Sequence, residues 1–165
     1  MFRELIRRKY NECCNRESYI NFRKELENFG TDKFNKELET LSGKYNPLSK
    51  IVLSIEKGEN IGEQYVDFGK YILVRDKFAN KHFLLIPKDL SYFNVLTLGK
   101  RDLSMLYEMK DLILERFGKN YILFFHCYPY NSVHTLHMHV VQEDFYVEKN
   151  NNLILEDVIY VLSNE

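Results

Sequence analysis

The chain has 165 residues, enough for one domain with an extension, and its 45% hydrophobic and 28% charged residues mark it as globular rather than disordered. A formal charge of -1 at pH 7 supplies no global field drawing it to nucleic acid or an acidic membrane, although 23 Lys and Arg allow a local basic groove. Cys13, Cys14 and Cys127 are odd in number and form no paired zinc pattern, which speaks against a disulfide framework and for a reducing, intracellular setting.

Residues 1–45 are rich in Arg, Lys, Glu and Asn, with Phe2, Leu5 and Ile6, then Tyr19, Phe22, Leu26 and Phe29, at helical spacing. Two helices broken near Asn15, the second ending before Gly30, are predicted there as a helical N-terminal extension of the domain over 46–165. The first residues carry charges where a signal peptide needs an apolar run, and no apolar run approaches a membrane span. A soluble, intracellular protein (cytoplasm or nucleus) is therefore expected. Ile51–Ile55, Tyr71–Val74 and His82–Ile86 read as strands, being short, β-branched or aromatic, and bounded by turn residues. Leu103, Leu106, Tyr107, Met109, Leu112, Ile113 and Phe117 fall at helical spacing before Gly118, the most regular helix signal in the chain. Tyr121–Cys127 reads as a central strand, Pro129–Ser132 as a turn, Thr135–Gln142 as a returning strand, and Leu153–Leu162 as a last helix. Strands joined by short turns imply an α+β fold with an antiparallel sheet and a long helix between strands.

The returning strand carries the chemistry. Alternation puts Thr135, His137, His139 and Val141 on one face and Leu136, Met138 and Val140 on the other. Two imidazoles ~7 Å apart at Cα then project the same way from a rigid platform. Three readings fit that face: ordinary surface histidines, a metal site using His137, His139 and His126 or His134, or a nucleophilic imidazole attacking phosphorus beside histidines that neutralise phosphate oxygens. Neutral imidazole is available near pH 7, which suits the third.

Ser132-Val133-His134-Thr135-Leu136-His137-Met138-His139-Val140-Val141 resembles the signature of the histidine-triad superfamily, His-φ-His-φ-His-φ-φ preceded by Ser/Thr-Val-x, with Thr135 in place of the first His. Lys81-His82-Phe83-Leu84-Leu85-Ile86-Pro87-Lys88 is similar to the superfamily's His-Phe-Leu-φ-Ile-Pro-Lys strand. Val74-Arg75-Asp76-Lys77-Phe78 and His139-Val140-Val141-Gln142-Glu143-Asp144-Phe145 resemble segments of the aprataxin branch, which removes AMP from abortive DNA-ligation ends. Phe125-His126-Cys127-Tyr128-Pro129 is similar to a segment shared by aprataxins and scavenger decapping enzymes. The resemblance covers about residues 50–145.

The resemblance implies a histidine-triad-like sheet and a nucleotide hydrolase or transferase. In it His137 attacks an α-phosphorus to form a nucleotidyl-histidine that water resolves. It implies that His139 bonds a non-bridging oxygen, that Ser132 and His134 lie at the phosphate, that Asp76 contacts the ribose, and that Lys77 offers charge. Thr135 cannot titrate near neutral pH, so His126 or His134 is the expected stand-in acid unless the leaving group needs no proton. No cofactor or metal is required. The substrate is a nucleotide or nucleotidylated molecule, nucleic-acid ends included, and a homodimer is compatible with the family. Removal of AMP from adenylylated ends, cleavage of a cap dinucleotide, and nucleotide binding with weakened catalysis stand as alternatives.

Overall fold

A computed structural model describes residues 15–42, 47–62, 64–76, 81–126, 135–146 and 152–165. Helices α1 (Arg16–Phe29), α2 (Thr31–Ser42) and α3 (Pro47–Glu56) precede strands β1 (Tyr65–Asp67), β2 (Tyr71–Arg75) and β3 (His82–Pro87). Helix α4 (Leu103–Phe117), strands β4 (Tyr121–His126), β5 (Met138–Gln142) and β6 (Asn152–Ile154), and helix α5 (Leu155–Ser163) follow. The strands form one antiparallel sheet in the order β1-β2-β3-β5-β4-β6. The expected α+β architecture, with its long helix between strands, is therefore the architecture found.

Residues directly opposite in neighbouring strands share a face, so the register assigns every side chain. Tyr71, Leu73, Leu85, Leu123, Phe125, Met138, Val140 and Leu153 belong to one core, which also takes Tyr19, Phe22 and Leu26 from α1, Met105, Leu106, Met109 and Ile113 from α4, and Val158, Val161 and Leu162 from α5. Ile72, Val74 and Ile86 face the other way and pack with Leu48, Val52 and Ile55 of α3, with Leu84 against them. Among the described residues, helix α3 packs on the β2–β3 part of that face. The same face continues across β5 and β4 with His139, Val141, Ile122, Phe124 and His126, and there the histidines gather.

The predicted strand Ile51–Ile55 is a helix instead, part of α3. Leu48, Val52 and Ile55 recur at helical spacing and are the buried members of that segment, and Pro47 takes the first helical position, where its missing N–H costs nothing. A short apolar run satisfies strand and buried helix equally, so periodicity alone could not choose. The predicted last helix begins later, at Leu155, because Asn152–Ile154 first pairs with β4 as β6. The regular part of the returning strand starts at Met138 rather than Thr135. Of the two N-terminal helices, the first lies outside the described residues. The second begins where expected: the Asn15 side chain accepts from Ser18 N at 2.9 Å and the Ser18 hydroxyl accepts from Asn15 N at 2.8 Å, a reciprocal cap. Gly30, at φ 102°, ends it and lets α2 start at once, a helix that the sequence reading left out.

Candidate active site

Strand β5 lies between β3 and β4, and His139 is directly opposite Leu84 on one side and Phe124 on the other. His82 in β3 and His126 in β4 are each two residues removed from those partners, which makes them diagonal neighbours of His139 on its own face. His137, two residues earlier in the chain, shares that face. Four of the five histidines thus converge, with His139 as their hub. Its ring centroid is 4.1 Å from that of His126, 4.9 Å from His137 and 5.1 Å from His82. Phe124 stacks parallel to it at 4.9 Å, and Tyr146 closes on Phe124 at 5.6 Å.

Hydrogen bonds set the protons. The His137 Nδ1–H donates to the Thr135 carbonyl at 2.7 Å, which leaves Nε2 as the lone-pair nitrogen of the neutral ring. His82 Nε2 and His139 Nδ1 are 2.8 Å apart and share one hydrogen. His82 Nδ1 is 3.5 Å from Asp76 Oδ2, within ion-pair range. His139 is only 6% exposed, and among the described residues its Nε2 is buried with no hydrogen-bond partner. Such an orphan costs about 1–3 kcal/mol and marks a position where a ligand atom would be welcome.

Burial is the main reason that the His137 imidazole titrates below the ordinary range; the bond to the Thr135 carbonyl opposes it, His82 adds a smaller repulsion, and Asp76 pulls least, upward. His139 is pushed down much further, again first by burial and then by repulsion from His137, His126 and His82. Both rings are neutral at pH 7. A neutral imidazole with its lone pair on Nε2 is in the form that can act as a nucleophile, and a neutral cluster could accept an anionic phosphate only by placing N–H donors on it.

Of the residues expected at the site, the structure brings together His137, His139, His126, Thr135 and Asp76. Ser132, His134 and Lys77 lie outside the described residues, as does Cys127. Thr135 is buried and contributes its carbonyl to His137. Two participants went unassigned in the sequence. His82 was read only as part of a strand motif, although it bonds the hub histidine. Asn152 is directly opposite His126 and has a buried Oδ1 with no partner among the described residues. Its only sequence signal was a polar residue at the start of an apolar stretch. Among the described residues no group of three or more His, Cys, Asp or Glu is arranged to hold a metal ion, and no helix is long and apolar enough to cross a membrane.

Residues 49–154 match the family described as scavenger mRNA decapping enzyme C-term binding. The chain belongs to that family. It is thereby a histidine-triad protein. The match ends at the last residue of β6, so it takes in the whole sheet and every residue of the histidine cluster. No individual curated protein matches this histidine-triad chain significantly. Similar solved structures include an aprataxin ortholog, Hnt3, from Schizosaccharomyces pombe, at 21% identity and a TM-score of 0.42, covering 62% of this chain and 60% of that one. The aprataxin ortholog Hnt3 in complex with DNA gives 22% identity and a TM-score of 0.47 over 61% of this chain and 60% of that one. Hnt3 in complex with DNA and guanosine gives 20% and 0.44 over 61% and 62%. The chain thus spans about three-fifths of the length of these structures.

Proposed function

We propose that this protein is a nucleotide hydrolase or transferase that acts at an α-phosphate through a covalent nucleotidyl-His137. The observation that supports this most directly is the 2.7 Å bond from His137 Nδ1 to the Thr135 carbonyl, which fixes the tautomer with Nε2 bare. His137 Nε2 attacks phosphorus and the leaving group departs with its bonding electron pair. Water then attacks the phosphoramidate, releasing the nucleoside monophosphate and returning the lone pair to Nε2. His139 bonds a non-bridging oxygen through the nitrogen that has no partner among the described residues. Within the class, release of AMP from an adenylylated end is the leading reading. The match to the scavenger decapping family favours a cap dinucleotide as the second substrate to try. The reading requires no cofactor and assigns the protein to the cell interior.

Intact-mass spectrometry after brief incubation with a 5′-adenylylated oligonucleotide, a cap dinucleotide or a dinucleoside polyphosphate tests the reading. A mass increase of one nucleoside monophosphate, lost on standing in water, is the expected result. Product formation with no adduct at any quench time argues for direct attack by water. Binding without product identifies a nucleotide-binding module.

Thr135 shapes the choice of leaving group. Its hydroxyl cannot deliver a proton near neutral pH, so the reaction runs best when the leaving group departs as a stabilised anion, as a phosphate does. Thr135→His should therefore raise turnover of a nucleoside phosphoramidate with a basic amine leaving group by roughly 10- to 100-fold, within the range general acids supply. It should change cleavage of a phosphoanhydride much less. Equal effects on both substrates in a steady-state comparison would show that Thr135 does not set this preference.

A further inference from the structure

The path from Asp76 through His82 to His139 has a consequence for how phosphate is bound. We infer that Asp76 and His82 form a proton store that switches His139 from acceptor to donor when an anionic phosphate docks, so that ligand binding takes up a proton. This rests on the reading of His139 as a phosphate ligand. The relation of His82 to the carboxylate stands on geometry alone.

A carboxylate 3.5 Å from His82 Nδ1 favours a hydrogen on that nitrogen. In the neutral ring Nε2 is then a lone pair, and it can only accept the hydrogen carried by His139 Nδ1, 2.8 Å away. A neutral His139 with its hydrogen on Nδ1 has a bare Nε2, the nitrogen that is buried without a partner among the described residues. A bare lone pair repels a phosphate oxygen. One added proton reverses the whole chain. His82 becomes an imidazolium, its Nδ1–H directed at Asp76 and its Nε2–H donating to His139 Nδ1. His139 then carries its hydrogen on Nε2 and donates it to the phosphate. The positive charge rests on His82 beside its counter-ion, while His139, whose ring is stacked among His126, His137 and Phe124, stays neutral. Among the described residues the groups set around His82 include Asp76 after β2, His137 and His139 from the β5 segment, and Phe124 from β4; His126 of β4 reaches it through His139. His82 and Asp76 act here as positioning residues, not as catalytic ones.

The test uses the intact protein with AMP as the probe. Titration calorimetry at about pH 8 in buffers of differing ionisation enthalpy should give about one proton taken up per AMP bound. In Asp76→Asn, which keeps the side-chain size and removes the counter-charge, uptake should approach zero, and affinity at that pH should fall about tenfold, recovering at lower pH. Uptake near zero in the wild type, or equal uptake in the two proteins, overturns the proton store. Histidine-ring ¹⁵N NMR of the ligand-free protein supplies a reading that needs no ligand. His139 should be the Nδ1–H tautomer in the wild type, and the Nε2–H tautomer there overturns the proposal even if AMP does not bind. Failure of AMP to bind with the Nδ1–H tautomer present counts against the nucleotide reading and leaves the relay supported.

Discussion

His137→Asn should abolish turnover and the proposed covalent adduct together. Positioned acids and bases contribute roughly 10²- to 10⁴-fold, and removing a covalent nucleophile costs at least the upper end of that range, so a loss of about 10⁴-fold or more is expected. No neighbour takes over the role. His139 is buried, stacked on Phe124, and committed through Nδ1 to His82. His126 is packed against the His139 ring, its centroid 4.1 Å away. Asparagine retains an N–H that can still reach the Thr135 carbonyl, and His137 lies at the start of β5 rather than inside the core, so the fold should survive with little change in thermal midpoint. The decisive measurement is single-turnover cleavage of an adenylylated substrate alongside intact mass. Activity above about a tenth of the wild type in a folded His137→Asn protein would falsify the assignment of the nucleophile.

Why the cluster was only half legible in the sequence follows from the order of the strands. His137 and His139 lie in one segment, and strand alternation alone puts them on one face. His82 and His139 meet because β5 inserts between β3 and β4, a pairing that passes over α4 and that no local pattern encodes. For the same reason the Lys81–Lys88 motif identified a strand without showing that its first histidine bonds the triad's last. Local signals did well wherever a segment was long or bounded by special residues, as with α4 before Gly118 and β3 ending at Pro87. They failed where three residues make a strand. Tyr65–Asp67 is half-exposed, without a hydrophobic run, and exists because the edge of β2 offers it hydrogen bonds. They failed also at α3, whose helical nature is decided by the sheet face on which Leu48, Val52 and Ile55 rest.

The face that α3 and the histidines share is where the fold meets the candidate site. On the other face, α1, α4 and α5 bury Leu85, Met138, Val140 and Phe125 in a continuous core and hold β3, β5 and β4 in fixed register. Helix α3 seals the β2–β3 side of the functional face. Lys88 adds to this by reaching both Glu56 at the end of α3, 3.0 Å, and Asp67 in β1, 2.9 Å. Exposed pairs of this kind contribute little each, so most of the anchoring comes from the apolar contacts. The histidines therefore stand on a platform that is rigid from beneath, an arrangement that favours precise placement of their rings.

The N-terminal segment bears on that rigidity, and Tyr19→Ala should show it by destabilising the whole domain by about 3–5 kcal/mol. Tyr19 is fully buried in the main core, and its hydroxyl donates to the Val95 carbonyl at 2.8 Å. Alanine leaves a ring-sized cavity and removes the 2.8 Å partner of the Val95 carbonyl, which keeps only the longer bond from Leu98 N at 3.4 Å. Around Tyr19, the Arg23 guanidinium bonds the carbonyls of Leu96 and Leu98 and the Glu165 carboxylate, and Arg16 pairs with Asp157 at 2.9 Å while lying 3.9 Å over the Tyr160 ring. Helix α1 is therefore integrated with the segment before α4 and with α5. A peripheral arm would melt separately and leave the sheet intact. Urea unfolding followed by both far-ultraviolet circular dichroism and tyrosine fluorescence separates the two cases. A single transition, shifted to lower urea in Tyr19→Ala and shifted less in Tyr19→Phe, is expected. An unchanged main transition in Tyr19→Ala would mean that α1 rests on the domain without supporting it. The Tyr19→Phe variant isolates the hydroxyl, whose removal should account for only about 1 kcal/mol of the loss.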